Sequence, residues 1–428
     1  MRTWLLLFTA LCTVGCRGGD GPTPEMTEGA KRATAPTGPK AQTPAAKPKV
    51  GPAAKPKEGP AAKPKEGPAA KPDGPRAAPT GASAPSAATG SKTSAGPPPS
   101  DRVFMLDLDG DGFDELLGSD DNALWAMSLA DGRLLWRTEG DGVVHRCVVG
   151  DFGHGRGLYV ARGIGRGHLR APLALQSVDV ATGAAKTLWQ RTGERAEPAH
   201  LSITDVDNDG VKELAFAHYI SKYMVQTRHL EATGAAIDGQ PLRMASSRAY
   251  GDADGDGHRE EVIGRVYGDA KGVVGDLRMI TAKGETVMIP SDKGVRAVMV
   301  APRGDGKGTS LYFADGWVSN YGKQAKAQLK QAIWAGGNPV ITTIGTSDDE
   351  FTFFDLTEVD LDGDGAPEIV ARGNKHVSLF RYDGKAWQRR SLAEIRPVLN
   401  TAMGKTKAGW KLAVPDRRQT RVVAVSPH

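Results

Sequence analysis

A nine-residue pattern rich in carboxylates occurs four times in this chain and limits its possible folds more than any other feature. The consensus is D-x-D-[GN]-D-G-x-x-E, with glycine or asparagine where the backbone must turn. The copies begin at Asp107, Asp205, Asp252 and Asp360. Turn preference explains a single Asp-Gly pair, but it does not explain four copies of one frame.

The oxygen atoms of this pattern have the spacing of a hard-cation site. Carboxylates at positions 1, 3, 5 and 9 and a main-chain carbonyl at position 7 can surround one ion. Ca²⁺ accepts such flexible oxygen ligands, whereas Mg²⁺ requires a near-ideal octahedron. Without a cation the like charges would repel one another. We therefore predict about four Ca²⁺ sites, one per copy of the frame. The predicted ligands are Asp107, Asp109, Asp111, Phe113 and Glu115; Asp205, Asp207, Asp209, Val211 and Glu213; Asp252, Asp254, Asp256, His258 and Glu260; and Asp360, Asp362, Asp364, Ala366 and Glu368.

These loops are not EF-hands. An EF-hand requires a glutamate at position 12 and a helix on each side, but position 12 is Gly118, Phe216, Ile263 or Ala371. The flanking apolar runs are short and rich in residues that favour β-strands. The loops are therefore expected to join strand to strand.

The first 15 residues have the features of an export signal. A charge at Arg2 precedes an apolar stretch over residues 4–8, which is too short to span a membrane. Residues 13–16 resemble a bacterial lipobox, with Thr13 where leucine is usual. This resemblance implies that cleavage leaves Cys16 as a lipidated first residue, and thus a cell-envelope lipoprotein at the outer membrane or cell surface. The alternative is a plain secretory signal with an incidental cysteine.

Residues 16–100 are predicted to form a disordered tether. From residue 17 onward this segment contains no Phe, Trp, Tyr, Leu or Ile, so it cannot bury enough apolar area to offset the entropy of ordering. A Pro/Ala/Lys octad begins at Pro44, Pro52 and Pro60, and its prolines favour an extended, semi-rigid spacer.

Charge and cysteine content exclude two classes of function. The tether carries 13 basic and 6 acidic residues, a net +7, and Arg2 adds +1, so the chain total of +5 leaves about −3 on residues 101–428. The folded part therefore has no basic footprint for nucleic acid. Once Cys12 and Cys16 are assigned to the signal and the lipid, Cys147 is single, and its apolar neighbours favour a buried strand thiol over a catalytic one.

Residues 101–428 contain weaker copies of the loop that complete a regular repeat. Degenerate copies begin at Asp151, Arg303 and Met403, which spaces the seven starts by 43 to 57 residues. Glycine turns and tryptophans recur with a similar period, and we expect the tryptophans to pack between sheets. Repeats of this length with about four short strands each predict an all-β propeller, which closes its sheets into a ring. The turns are Asp131-Gly132, Thr182-Gly183, Thr233-Gly234, Lys283-Gly284, Tyr321-Gly322 and Asp383-Gly384.

The loops and the period together resemble the FG-GAP/VCBS repeat family, which includes the calcium-loop propeller of the integrin α-subunit. The resemblance covers residues 101–428 and implies a seven-bladed β-propeller with cations bound in loops on one face. Three of the seven loops lack the acidic set, so the resemblance implies cation sites in the other four loops only. The seventh repeat lacks a glycine-marked final strand, and residues 97–99, all proline, are a poor substitute. The sequence leaves open how the ring closes.

Two classes of function fit these features. The first is a tethered, monomeric propeller that binds a protein or a glycan and contacts the membrane only through its lipid. The second is a polysaccharide-active enzyme, such as a lyase, on the same scaffold. The chain has no H-E-x-x-H and no G-x-S-x-G motif. We therefore favour the non-enzymatic class, although fold alone does not decide function.

Overall fold

A computed structural model describes residues 96–153, 155–163, 173–191, 198–221, 224–239, 241–243, 245–269, 272–292, 294–316, 326–335, 337–347, 352–395, 400–415 and 418–426. The predicted signal, Cys16 and residues 16–95 of the predicted tether lie outside these residues. Every regular element in the described part is a β-strand. None of the described residues belongs to a helix with the length and apolar character needed to cross a membrane.

The strands form seven antiparallel sheets, which follow one another in chain order as blades 1 to 7. Blade 1 contains β1 (Arg102–Leu106), β2 (Glu115–Ser119), β3 (Ala123–Met127) and β4 (Leu134–Glu139). Blade 2 contains β5 (Val143–Gly150), β6 (Gly157–Gly163), β7 (Leu173–Val178) and β8 (Ala185–Arg191). Blade 3 contains β9 (Pro198–Thr204), β10 (Glu213–Ser221), β11 (Met224–Leu230), β12 (Ala236–Asp238) and β13 (Leu242–Arg243), which also pairs with β11.

The remaining blades follow the same up-and-down order. Blade 4 contains β14 (Ala245–Gly251), β15 (Glu260–Arg265), β18 (Leu277–Ile280) and β19 (Thr286–Ile289), with a separate hairpin of β16 (Tyr267–Asp269) and β17 (Gly272–Val274). Blade 5 contains β20 (Ala297–Pro302), β21 (Thr309–Asp315), β22 (Ala327–Ala335) and β23 (Asn338–Ser347). Blade 6 contains β24 (Asp355–Val359), β25 (Glu368–Arg372), β26 (His376–Tyr382) and β27 (Trp387–Glu394). Blade 7 contains β28 (Ala402–Thr406), β29 (Gly409–Val414) and β30 (Arg421–Ala424).

Seven apolar clusters, one between each pair of neighbouring blades, hold the sheets in a ring. Leu117 of blade 1 packs with Val160 of blade 2, for example, and Ala413 of blade 7 packs with Trp125 of blade 1. Because both faces of a blade are covered, a central strand such as β3 is buried at every position. The outer strand β12 is exposed throughout. This arrangement is a seven-bladed β-propeller and confirms the predicted fold class.

Blade 7 closes against blade 1 through side chains, not through a fourth strand. Its described sheet has three strands, and residues 96–100 form no strand. The Thr420 hydroxyl lies 2.8 Å from the Pro98 carbonyl oxygen, to which it donates, and 2.6 Å from the Ser100 hydroxyl. The Asn400 side chain receives the Val103 N–H at 3.1 Å and donates to the Val103 carbonyl. Residues assigned to the end of the tether therefore contribute to ring closure.

Truncation should show this contribution of the tether end. A chain that starts at residue 96 should unfold at the same urea concentration as the full-length chain. A chain that starts at Asp101 should lose about 1–3 kcal/mol of unfolding free energy, because the buried Thr420 hydroxyl loses both partners. Thr420→Ala should then destabilise the longer chain more than the shorter one. Identical urea midpoints for the two chains would contradict this assignment.

The structure corrects one of the predicted repeat markers and leaves another outside the described residues. Met403 lies inside β28, so the seventh loop is the short turn between β28 and β29 and does not begin at Met403. Tyr321-Gly322 falls between β21 and β22, outside the described residues, and the turn between β22 and β23 instead has Gly337 at φ +91°. Trp136 packs between blades 1 and 2 as predicted, and its indole N–H donates to the Val180 carbonyl at 2.7 Å.

Candidate metal centres

The four carboxylate loops connect the first and second strands of blades 1, 3, 4 and 6. Each frame begins at the residue after the first strand and ends on the glutamate that begins the second strand. In blade 1, for instance, Leu106 ends β1, Glu115 begins β2, and the two residues pair across the sheet. The last ligand is therefore held by the sheet itself. The glutamate at this position is buried in three of the four loops, as Glu213, Glu260 and Glu368.

The backbone of these loops explains why the frame contains glycine or asparagine. Positions 4 and 6 have left-handed φ angles, which are +80° at Gly255 and +88° at Gly257. At position 4 of the blade 3 loop, Asn208 has a φ of +64°. Asparagine is one of the few other residues that tolerate this conformation. The two left-handed residues fold the loop so that the carboxylates point inward.

Hydrogen bonds within the loop orient the carboxylates. In blade 4, Asp252 accepts the N–H of Gly255 at 2.7 Å, and Asp254 accepts the N–H of Asp256 at 3.2 Å. Glu260 reaches back to accept the N–H of Ala253 at 2.8 Å. The equivalent glutamate bond occurs in the other three loops at 2.6–2.9 Å. Each loop is thus a pre-arranged set of acidic oxygens.

In each loop the structure brings together the acids at positions 1, 3 and 9. One oxygen from each of the three lies within 4.8 Å of the others, which is close enough for a shared cation. The three-residue groups are Asp107, Asp109 and Glu115; Asp205, Asp207 and Glu213; Asp252, Asp254 and Glu260; and Asp360, Asp362 and Glu368.

The aspartate at position 5 does not belong to these groups. Its carboxylate instead accepts the main-chain N–H of the residue at loop position 7, at 2.7–2.9 Å in the four loops. Asp111, Asp209, Asp256 and Asp364 therefore remain predicted ligands, as do the carbonyls of Phe113, Val211, His258 and Ala366. A small movement of the loop around an ion would be needed to bring position 5 into contact with it.

Of the four loop glutamates, Glu260 has the surroundings that most favour a bound cation. Its side chain is almost fully buried at 1% exposure, and its Oε1 atom has no hydrogen-bond partner among the described residues. Burial, and then the charges of Asp254, Asp256 and Asp252, raises the pKa of Glu260 to about 7. Burial and the neighbouring aspartates also raise the pKa values of Glu115, Glu213 and Glu368. A buried carboxylate oxygen without a partner is costly unless a cation or a proton compensates it.

The four loops differ in whether the protein's own cations approach the acids. In blade 1, Arg156 Nη2 lies 3.3 Å from Asp107 Oδ2, and Lys407 Nζ lies 3.1 Å from Asp111 Oδ2. In blade 6, Arg381 contacts Asp362, and its Nε lies 3.5 Å from Glu368 Oε1. Across the described part of the chain, no Lys or Arg pairs with the acids of the blade 3 and blade 4 loops. These two loops have the least internal charge compensation.

Neighbouring loops are also joined around the face of the propeller. The main-chain carbonyl at position 1 accepts a hydrogen bond from the next blade, from Arg156 to Asp107, Arg259 to Asp205 and Thr309 to Asp252. The sequence did not predict these donors, because the ring alone brings loops of successive repeats into contact. Ordering one loop should therefore help to order the next.

The degenerate loops have replaced the acidic set in different ways. In blade 2, the Asp151 side chain accepts the N–H groups of Gly153 and Gly155 at 2.8 and 2.9 Å, without neighbouring acids. In blade 5, Arg303 occupies position 1 and pairs with Asp305 at 2.6 Å. An internal ion pair thus takes the place of a cation in that loop.

A groove borders the degenerate loop of blade 5. It has a volume of about 440 Å³ and lies between blades 5 and 6, where Arg303 and Gln331 face Tyr382, Lys385 and Trp387. Since strands alternate in direction within a sheet, the loop after a first strand and the hairpin after a third strand lie at the same end of a blade. The groove is therefore on the same face of the propeller as the carboxylate loops. Aromatic rings with a few polar groups are the usual lining of a ligand site.

Cys147 shows none of the features of a catalytic thiol. It lies on β5 and packs against the cluster between blades 1 and 2. Desolvation raises the pKa of its thiol well above the ordinary value, which disfavours the reactive thiolate. The predicted position on a strand is confirmed, but Cys147 is half-buried and not fully buried as predicted.

Fold and loops together define a β-propeller with four acidic loops on one face. No family model matches the chain, and no curated protein matches it either. Among solved structures, Sqt1 from Saccharomyces cerevisiae is similar at 10% sequence identity and a TM-score of 0.39. The match covers 60% of this chain and 66% of Sqt1, slightly less than two thirds of that protein.

Proposed function

We propose that this protein is a calcium-binding β-propeller that is anchored to the cell envelope through lipidated Cys16 and recognises a protein or glycan ligand. The observation that carries the calcium part is the unpartnered Oε1 of Glu260 within a group of three acids. Four copies of one loop support a structural role for the ions, which would hold one face of the ring in a single conformation. Flexible oxygen-only ligand sets favour Ca²⁺ over Mg²⁺.

The blade 3 and blade 4 loops should bind calcium more tightly than the loops of blades 1 and 6. Their carboxylates have no pairing Lys or Arg among the described residues, so a cation displaces no charged group from an acid there, although Arg259 donates to the main-chain carbonyl of Asp205. In blade 1, by contrast, Lys407 pairs with Asp111, and a cation would have to displace or repel that ammonium group.

The groove between blades 5 and 6 is the candidate recognition surface. Trp387 and Tyr382 offer aromatic faces with ring centroids 5.7 Å apart. Arg303 and Lys385 supply hydrogen-bond donors at its edges, whereas the Gln331 side-chain nitrogen already donates to the Ser310 and Tyr312 hydroxyls. Such an amphipathic surface suits a sugar ring or an extended peptide, because the aromatic faces pack on C–H groups while the donors meet hydroxyl or carbonyl oxygens.

A glycan and protein array, probed with the mature chain, tests the recognition role. The wild type should bind a defined subset of ligands in calcium and lose most of that signal in a chelator. Trp387→Ala should lower binding by about 10-fold or more, since anchoring aromatics often contribute over 1.4 kcal/mol. Trp410→Ala is the matched control, because Trp410 is also partly buried but packs between blades 6 and 7, away from the groove. Equal binding by the Trp387→Ala variant and the wild type would exclude this groove.

A further inference from the structure

The axis of the ring contains a cavity with an excess of positive charge. Its volume is about 340 Å³, and residues on or next to the first strand of all seven blades line it. Three of the lining residues are arginines, Arg146, Arg248 and Arg296, whereas Asp355 is the acidic residue among the lining side chains. The described part of residues 101–428 thus concentrates cations at its centre, although this part of the sequence has a net negative charge.

Arg248 is buried with unused hydrogen-bonding capacity. Its side chain is 3% exposed, and Nη1 contacts Glu261. Nε and Nη2 have no hydrogen-bond partner among the described residues. Buried donors without partners are rare in folded proteins, and they cost more when the group is charged. These two donors have no partner among the described residues but are covered from solvent, so an acceptor in the cavity would reach them once the Arg248 side chain turns towards it.

Arg146 brings a second guanidinium that no carboxylate compensates. Its Nε donates to the Ala199 carbonyl at 3.4 Å and its Nη1 to the His145 carbonyl at 3.3 Å. No acid pairs with it within the described ranges. Both contacts are to main-chain oxygens, so the positive charge of Arg146 remains available to an anion.

His200 lines the same cavity as Arg146 and Arg248. Its Nε2 is 2.9 Å from Ser202 Oγ. Desolvation, followed by the charges of Arg248 and Arg146, lowers the pKa of His200 to about 3. A neutral imidazole next to two guanidinium groups leaves the positive charge to the arginines and adds a hydrogen-bonding group to the wall. Glu261 and Tyr250, which contact each other at 3.1 Å, complete the surroundings of Arg248.

We propose that the axial cavity binds an oxyanion, the carboxylate, sulfate or phosphate group of a small ligand, between Arg146 and Arg248. Guanidinium groups match such anions in geometry and can donate two parallel hydrogen bonds. The anion would satisfy Nε and Nη2 of Arg248 and offset the charge of Arg146. The low-dielectric walls of the cavity strengthen this attraction. The site is separate from the calcium loops and does not depend on them.

Anion titrations on the mature chain test the proposal. The probes are sodium sulfate, sodium phosphate and sodium glucuronate, each added at constant ionic strength in a chelator, with melting temperature and calorimetric heat as the measurements. At least one probe should give a saturable rise in melting temperature. The probe that binds best distinguishes an inorganic ion from a sugar carboxylate.

Variants separate a specific site from a general salt effect. Arg146→Gln and Arg248→Gln should each weaken the saturable binding about 10- to 100-fold, the effect of losing a charged hydrogen bond. Arg133→Gln, on the exposed surface, should bind as the wild type does. Arg146→Gln remains decisive if Arg248→Gln fails to fold, because Arg146 bonds only to main-chain carbonyls. No saturable binding of any probe, or equal binding by Arg146→Gln and the wild type, would overturn the proposal, since excluded salts stabilise all variants alike and do not saturate.

Discussion

Removal of calcium is expected to lower the melting temperature of the propeller by about 6–13 °C. Calcium at roughly 5 to 50 times the dissociation constant stabilises the native state by about 1–2.3 kcal/mol per site, or about 4–9 kcal/mol for four sites. For a domain the size of residues 101–428, each 1 kcal/mol corresponds to about 1.5 °C. Calcium should reverse the effect of a chelator, and magnesium should do so less well. Because extracellular modules bind calcium at about 10⁻⁴–10⁻³ M, the titration must extend to millimolar calcium.

Matched variants of two equivalent loop positions assign the effect to the acidic groups. Asp254 occupies position 3 of the blade 4 loop, and Asp305 occupies position 3 of the degenerate blade 5 loop. Asp254→Asn should remove one ion from the number measured by equilibrium dialysis and reduce the shift caused by the chelator. Asp305→Asn should change neither quantity, because its loop lacks the other acids. Superimposable melts of the wild type in calcium and in chelator would disprove the metal assignment.

The sequence was most informative where a loop repeats a local pattern. Six of the seven predicted loop starts directly follow a first strand, since the nine-residue frame encodes both the turn and the two strand ends. The prediction from Met403 was wrong because the seventh loop has no acids, and apolar Met403 satisfies a strand pattern equally well. Local chemistry thus locates a loop where an aspartate and the turn glycines remain, as they do in the loops that begin at Asp151 and Arg303.

Contacts that depend on the ring could not be predicted from the sequence. Arg146, His200 and Arg248 lie on three different blades, and their positions in the chain give no reason to group them. Asn400 and Thr420 likewise meet Val103 and Ser100 only because the chain ends come together. The position-5 aspartates differ from these residues, because each carboxylate accepts the N–H at position 7 of its own loop, and their role as ligands stays a prediction.

Replacing Lys330 by methionine is expected to lower the unfolding free energy by about 3–5 kcal/mol, the usual cost of breaking a buried ion pair from one side. Lys330 Nζ lies 2.6 Å from Asp292 Oδ2 and 2.9 Å from Asp315 Oδ2. The Asp315 side chain is fully buried, whereas that of Asp292 is 62% exposed. Without the lysine, Asp315 keeps the N–H bonds of Gly316 and Asp292 but loses its buried counter-charge. Urea unfolding at neutral pH measures the loss.

Two further variants show which carboxylate is responsible. In the Lys330→Met background, Asp315→Asn should recover part of the stability because it removes a fully buried charge that has lost its lysine partner. Asp292→Asn should recover little, since the exposed Asp292 stays hydrated. Arg133→Met, which breaks the exposed pair with Asp131, is the control and should leave the urea midpoint close to that of the wild type. If Lys330→Met is within about 1 kcal/mol of the wild type, the ion pair is not a stabilising element of blade 5, because so small a cost would mean that the remaining partners of Asp315 compensate its charge.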